Sequence, residues 1–125
     1  MFIKPPPDRH CDFCGMIYGL ELPRKETIRA SRNFLAFFEN KEGLNFILII
    51  PNFHEQQSSR LLQITGLKEE AEELAKKAVE VLENKWRASK YDLKWNDGKV
   101  PQCGITHTGP FIRKGTHAHL KVLPL

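Results

Sequence analysis

The sequence predicts an α+β domain with a largely antiparallel sheet, one long helix and one short helix. Gly43 opens a nearly unbroken apolar run, Leu44-Asn45-Phe46-Ile47-Leu48-Ile49-Ile50, which Pro51 stops. A run of that length suits a central strand covered on both faces. Further on, Leu67, Ala71, Leu74, Ala75, Ala78 and Leu82 fall on one helical stripe, while Lys68, Glu69, Glu72, Glu73, Lys76 and Glu80 fill the opposite side. Strands with one dominant helix in this order, with no internal repeat or linker between them, indicate an α+β architecture.

Residues 1–10 read as an extended arm, because Pro5, Pro6 and Pro7 fix three φ angles and remove three N–H donors. Residues 11–125 form the domain. The stretch 26–39 suggests two short strands meeting at a turn near Ser31-Arg32-Asn33. A polar loop covers 52–57 and a short helix 58–64, with Thr65 placed to cap the long helix that runs from Leu67 to about Trp86. Tyr91-Asp92-Leu93-Lys94-Trp95 alternates as a strand, and Asn96-Asp97-Gly98 signals a turn. Residues 102–115 are rich in Gly, Thr and Pro and read as loop, with a short extended stretch over 103–106. The last strand is expected over 117–123, ended by Pro124. Trp86, Trp95 and Cys103 read as packing residues, and His10 as an exposed neighbour of Cys11.

With 125 residues, 41% hydrophobic and 27% charged, the composition is that of one soluble globular domain rather than a disordered or fibrous chain. Nineteen basic against fifteen acidic residues give a net charge of +4, which favours phosphate-bearing ligands without resembling a nucleic-acid tail. Neither a membrane partner nor a nucleic acid is expected. No stretch approaches the roughly 20 apolar residues of a membrane span, and the first eight residues carry no apolar signal core, so the chain is read as cytoplasmic. Three cysteines, two of them spaced as Cys11-Asp12-Phe13-Cys14, argue for metal or redox chemistry over a disulfide framework.

The last strand is the most informative segment. Alternation puts His117, His119 and Lys121 on one face and Ala118, Leu120 and Val122 on the other, so two imidazoles and an ammonium share a surface. The alternative is an ordinary polar sheet face. Cys11 and Cys14 have the C-x-x-C spacing that lets two thiolates reach one tetrahedral zinc, with His54 and His117 as candidates for the remaining ligands. A redox dithiol is the competing reading. Such motifs typically open a helix after a strand, whereas this one follows a proline arm, and the metal reading is therefore favoured.

Cys11-Asp12-Phe13-Cys14, the Gly19 to Pro23 step, Asn33-Phe34-Leu35-Ala36-Phe37-Phe38-Glu39, Ile49-Ile50-Pro51-Asn52-Phe53-His54, the long helix, Asn96-Asp97-Gly98 and His117-x-His119-x-Lys121-x-x-Pro124 occur in this order. That succession resembles the histidine triad (HIT) proteins over nearly the whole chain. The resemblance implies a nucleotide-binding α+β fold, usually a homodimer, that breaks phosphoanhydride, phosphoramidate or related bonds of nucleotides and nucleotide conjugates. It implies His119 as the nucleophile that attacks the α-phosphorus and carries a transient nucleotidyl group. A neutral imidazole suits that task, and a backbone carbonyl on its far nitrogen would fix the tautomer. In members with the C-x-x-C, zinc is held at positions corresponding to Cys11, Cys14, His54 and His117, and such a closed four-ligand site is structural.

By the same resemblance, Glu39 accepts hydrogen bonds from ribose hydroxyls, Asn96 belongs to the nucleotide site, and Gln102 matches the family's phosphate-side glutamine; if the longer connection displaces Gln102, Thr116 or backbone amides near Gly115 substitute for it. Two departures stand out. Lys121 replaces the third histidine, supplying a fixed positive charge where the family has an imidazole, since lysine ordinarily stays protonated at neutrality. The connection from Asn96 to His117 is longer than the family's by roughly ten residues, near the upper end of ordinary loops. His107 within it can supply another imidazole, although a surface loop is the simpler reading. The leading expectation is a nucleotide hydrolase or nucleotidyltransferase, with Lys121 assisting as a catalytic residue. The rival is a noncatalytic, zinc-stabilised nucleotide-binding or interaction module.

Overall fold

The computed structural model of the chain describes residues 4, 12–17, 27–41, 44–81, 90–98 and 117–124. They form eight elements: α1 (Asp12–Ile17), β1 (Thr27–Ala30), β2 (Phe34–Lys41), β3 (Leu44–Pro51), α2 (Ser58–Gln63), α3 (Leu67–Val81), β4 (Tyr91–Asn96) and β5 (His119–Pro124). The strands make one five-stranded antiparallel sheet in the order β1-β2-β3-β5-β4. β3 lies at its centre, as its unbroken apolar run requires.

Each face of the sheet buries its own cluster. On one side Phe34, Ala36, Ile47, Ile49, Ala118, Leu120 and Val122 pack against Leu61 of α2 and the α3 stripe Leu67, Ala71, Leu74, Ala75 and Ala78. Alternation sends the intervening residues to the other side, where Phe37, Phe46, Leu48 and Ile50 pack under Phe13 and Cys14 of α1. Trp95 is a packing residue, partly buried against the helix-side core. Lys68, Glu69, Glu73, Lys76 and Glu80 are exposed, so the charged side of α3 is a solvated face.

Three local features differ from the sequence expectation. A short helix that the sequence reading did not predict, α1, carries Cys14. At the start of α3, the first helical bond runs from the Glu70 N–H to the Gly66 carbonyl at 3.0 Å, which puts Gly66 rather than Thr65 at the cap. Gly66 has φ +87°, a left-handed conformation that favours glycine. Finally, β5 begins at His119 because the Ala118 N–H is committed to the Glu55 carbonyl at 2.6 Å, not to a neighbouring strand.

Glu70 fastens the β1–β2 turn to α3, its carboxylate accepting from the Asn33 N–H and Asn33 Nδ2, both at 2.7 Å, and from Ser31 Oγ. Of the arm, Lys4 is described, and its ammonium donates to the Arg32 carbonyl at 3.3 Å. The end of the long helix beyond Val81, Trp86 and the 102–115 loop lie outside the described residues. Among the described residues no helix is long and apolar enough to cross a membrane.

Candidate metal centre and active site

Segments distant in sequence converge just before β5. β3 ends at Pro51, and the polar segment that follows carries His54 and is stitched to the strands on either side of the site. Its Glu55 carbonyl accepts from Ala118, and its Gln56 carbonyl accepts from the Gly98 N–H at 2.7 Å. Ser58 donates through both N–H and Oγ to Asp97 Oδ1, at 2.8 and 2.7 Å, and these bonds hold the Asp97 carboxyl below its ordinary pKa. His54 and His117 thereby sit on a laced frame, not on a free loop.

α1 supplies the third member. Cys14 Sγ lies 3.3 Å from His54 Nδ1 and 3.7 Å from His117 Nδ1, so one sulfur and two imidazoles form a cluster able to hold a metal ion. Zinc bonds of about 2.3 Å to sulfur and about 2.05 Å to nitrogen, at the tetrahedral angle, put S and N about 3.6 Å apart. The observed separations bracket that edge, so donor set and spacing both fit zinc. Cys14 and His117 are fully buried, and burial holds the His117 imidazole below its ordinary pKa, against hydrogen bonding and charge from Cys14 that raise it. The neutral ring is the form that ligates a metal. Cys11, the expected fourth ligand, lies outside the described residues.

His119 stands where β5 begins, directly opposite Asn96 of β4. Its Nδ1–H donates to the His117 carbonyl at 3.1 Å. In the neutral ring that bond puts the lone pair on Nε2. The Phe13 ring stands edge-on to both imidazoles, with centroids 5.1 Å from His117 and 5.5 Å from His119. The helix that brings Cys14 to the cluster therefore also walls the ring of His119.

Lys121 follows on the same face. It is half-buried and directly opposite Leu48 on one side and Lys94 on the other, with its Nζ 5.5 Å from the centre of the Phe46 ring. Glu39 of β2, half-buried, pairs opposite Phe46. Strand alternation places it on the face that carries Lys121 and His119. Of the expected site residues, Cys14, His54 and His117 come together, and Asn96 is brought beside His119. Gln102, Thr116 and His107 lie outside the described residues.

Two contributors escaped the sequence reading. Phe13 was visible only as the residue inside the C-x-x-C, and nothing in its spacing says that it reaches two histidines more than a hundred positions away. Lys94 carried a clearer signal: the alternation of Tyr91-Asp92-Leu93-Lys94-Trp95 assigns it to the face opposite Trp95.

The sequence matches no family model and no curated protein. Among solved structures the chain is similar to a HIT family protein from Bacillus anthracis, with a TM-score of 0.61 and 21% identity, covering 91% of this chain and 72% of that one. The element order, the five-stranded antiparallel sheet and this similarity together establish that the chain has a HIT-like α+β fold.

Proposed function

We propose that the chain is a nucleotide hydrolase or nucleotidyltransferase that acts at an α-phosphate through a nucleotidyl-histidine on His119. The observation that carries the reading is the 3.1 Å bond from His119 Nδ1–H to the His117 carbonyl, which in the neutral ring puts the lone pair on Nε2, where it attacks without a separate base. Attack forms an N–P bond as the bond from phosphorus to the leaving group breaks. Water, or an acceptor in a transferase, then takes the nucleotidyl group and restores the imidazole. Lys121 supplies positive charge near the reacting oxygens, and Glu39 accepts from ribose hydroxyls, because both carboxylate oxygens are acceptors. Asn96 belongs to the nucleotide site, and Gln102, or Thr116 in its place, serves the phosphate.

Cys11, Cys14, His54 and His117 would hold zinc, whose role is structural: it ties α1 to the segment after β3 and to the start of β5. A homodimer goes with the HIT-like reading and is tested by solution mass. Replacement of the third triad histidine by Lys121 favours a second reading, a noncatalytic zinc-stabilised nucleotide-binding or interaction module. Incubation with nucleoside phosphoramidates, dinucleoside polyphosphates and nucleotide sugars separates the two. Turnover that His119→Ala abolishes, with nucleotide affinity retained, supports the enzyme. Nucleotide binding without turnover across the panel supports the module.

A further inference from the structure

Lys94 and Lys121 are directly opposite one another in the β4–β5 ladder. Side chains so placed have Cβ atoms about 4.5–5.5 Å apart, and like charges there repel. A sheet face built only for stability does not gain from such a pair. Lys94 is exposed and Lys121 half-buried, and among the described residues no carboxylate forms an ion pair with either. Asp92, the nearest acid on the same face of β4, turns its carboxylate to the Leu93 N–H at 3.0 Å. The Lys121 ammonium rests over the Phe46 ring, on the side away from Lys94. The row Phe37-Leu48-Lys121-Lys94 thus runs across the sheet from an apolar floor to two ammonium groups. The adjoining row holds His119 and Asn96, one two-residue step of about 6.7 Å along the strands.

We infer that Lys94 and Lys121 form an anion subsite for the leaving group. The inference rests on the His119 reading of the proposed function and adds what the leaving group must be. When His119 Nε2 bonds to the α-phosphorus, the bond to the leaving atom breaks and the electron pair departs with that atom. A bridging oxygen carries the pair away as part of a phosphate anion and needs charge stabilisation. The amine of a phosphoramidate needs a proton instead. Water then adds hydroxide to the phosphorus, releases a proton to solvent and frees the imidazole. Two ammonium groups, one on Lys121 where the resemblance puts a third imidazole and one opposite it on Lys94, stabilise the first kind of leaving group far better than they supply a proton to the second. Lys94 is therefore a specificity-determining residue, and the substrate class is a nucleoside polyphosphate or another conjugate joined through a phosphoanhydride.

The test compares the full-length wild type with Lys94→Gln, Lys94→Arg and, as a charge control on the exposed side of α3, Lys76→Gln. Each is assayed on a dinucleoside polyphosphate and an adenosine phosphoramidate, and each is titrated calorimetrically with inorganic pyrophosphate. Lys94→Gln is expected to lower the ratio of kcat/KM for polyphosphate over phosphoramidate at least tenfold and to weaken pyrophosphate at least fivefold. Lys94→Arg is expected to restore most of both, and Lys76→Gln to change neither. An unchanged ratio and affinity in Lys94→Gln, an equal loss in Lys76→Gln, or a wild type that does not bind pyrophosphate overturns the inference. If no substrate turns over and no adduct forms, the His119 reading fails by itself, and pyrophosphate affinity still decides the subsite.

Discussion

Metal loading of the Cys14, His54 and His117 cluster should raise stability by an amount that can be worked out. Zinc that binds the folded chain and not the unfolded one stabilises it by about 2.7 kcal/mol when free metal is about 100 times its Kd. For a domain of 125 residues each kcal/mol shifts Tm by roughly 3–6 °C, so saturating zinc should raise Tm by roughly 8–16 °C over the chelated protein. Cys14→Ser is expected to remove that increment. The absolute Tm of this variant is a poor guide, because Cys14 is fully buried and an unpartnered hydroxyl there costs about 1–3 kcal/mol by itself. The readout is instead the zinc-minus-chelator difference in scanning calorimetry, together with zinc stoichiometry by elemental analysis. A wild type purified without chelator that holds no zinc, and whose Tm is the same with and without added metal, refutes the cluster as a zinc site.

Other perturbations test the remaining parts. Lys121→Gln should lower kcat/KM by roughly 10- to 100-fold by removing positive charge beside the reacting oxygens, as steady-state kinetics will show; an unchanged rate means that the lysine is a bystander. Lys121→His asks whether the imidazole form turns over faster, which marks drift from an ancestral hydrolase, or slower, which ties the lysine to this chain's own chemistry. Burial raises the pKa of Glu70, but bonds from Ser31 and Asn33, with the charge of Lys4, outweigh it and leave the carboxyl below its ordinary value. Its contribution to stability is therefore present above the unfolded-state pKa and lost as pH falls through the lower folded-state value. For this partly exposed group it amounts to less than about 1 kcal/mol. Urea titrations at pH 7 and pH 3.5 should show a smaller acid-side loss in Glu70→Gln than in the wild type, and equal losses contradict the assignment. Phe34, fully buried between β2 and α3, should cost about 3–5 kcal/mol on replacement by Ala in urea unfolding, and a loss under 1 kcal/mol is incompatible with that packing.

Much of this architecture was legible because periodicity encodes burial. The run from Leu44 to Ile50 suited a strand covered on both faces, and the stripe from Leu67 to Ala78 marked the helix face that packs against the sheet. The placement of His119 and Lys121 followed from alternation alone. The helix around Cys14 was not legible, because six residues are too few to display a helical period and the preceding prolines suggested extended chain. Nor was the start of β5, which is set by a backbone bond from Ala118 to Glu55 that no side-chain pattern records. The ligand count already made His54 and His117 candidates to join Cys14, and the resemblance pointed to the same residues, but spacing alone does not say which distant segments fold together. Lys94 depends on what lies opposite it, which belongs to the sheet register, and Phe13 depends on where α1 packs.

The central claim is that His119 Nε2 is a nucleophile, and the most direct measurement is to trap what it carries. Wild-type protein mixed with a nucleoside polyphosphate and quenched in alkali should retain an acid-labile nucleotidyl group, because a histidine nucleophile splits the displacement into two steps. Mass spectrometry of a digest made at alkaline pH should place that group on the peptide bearing His119, and His119→Ala should show none. A nucleotidyl group on any other residue, or turnover that survives His119→Ala, contradicts the account.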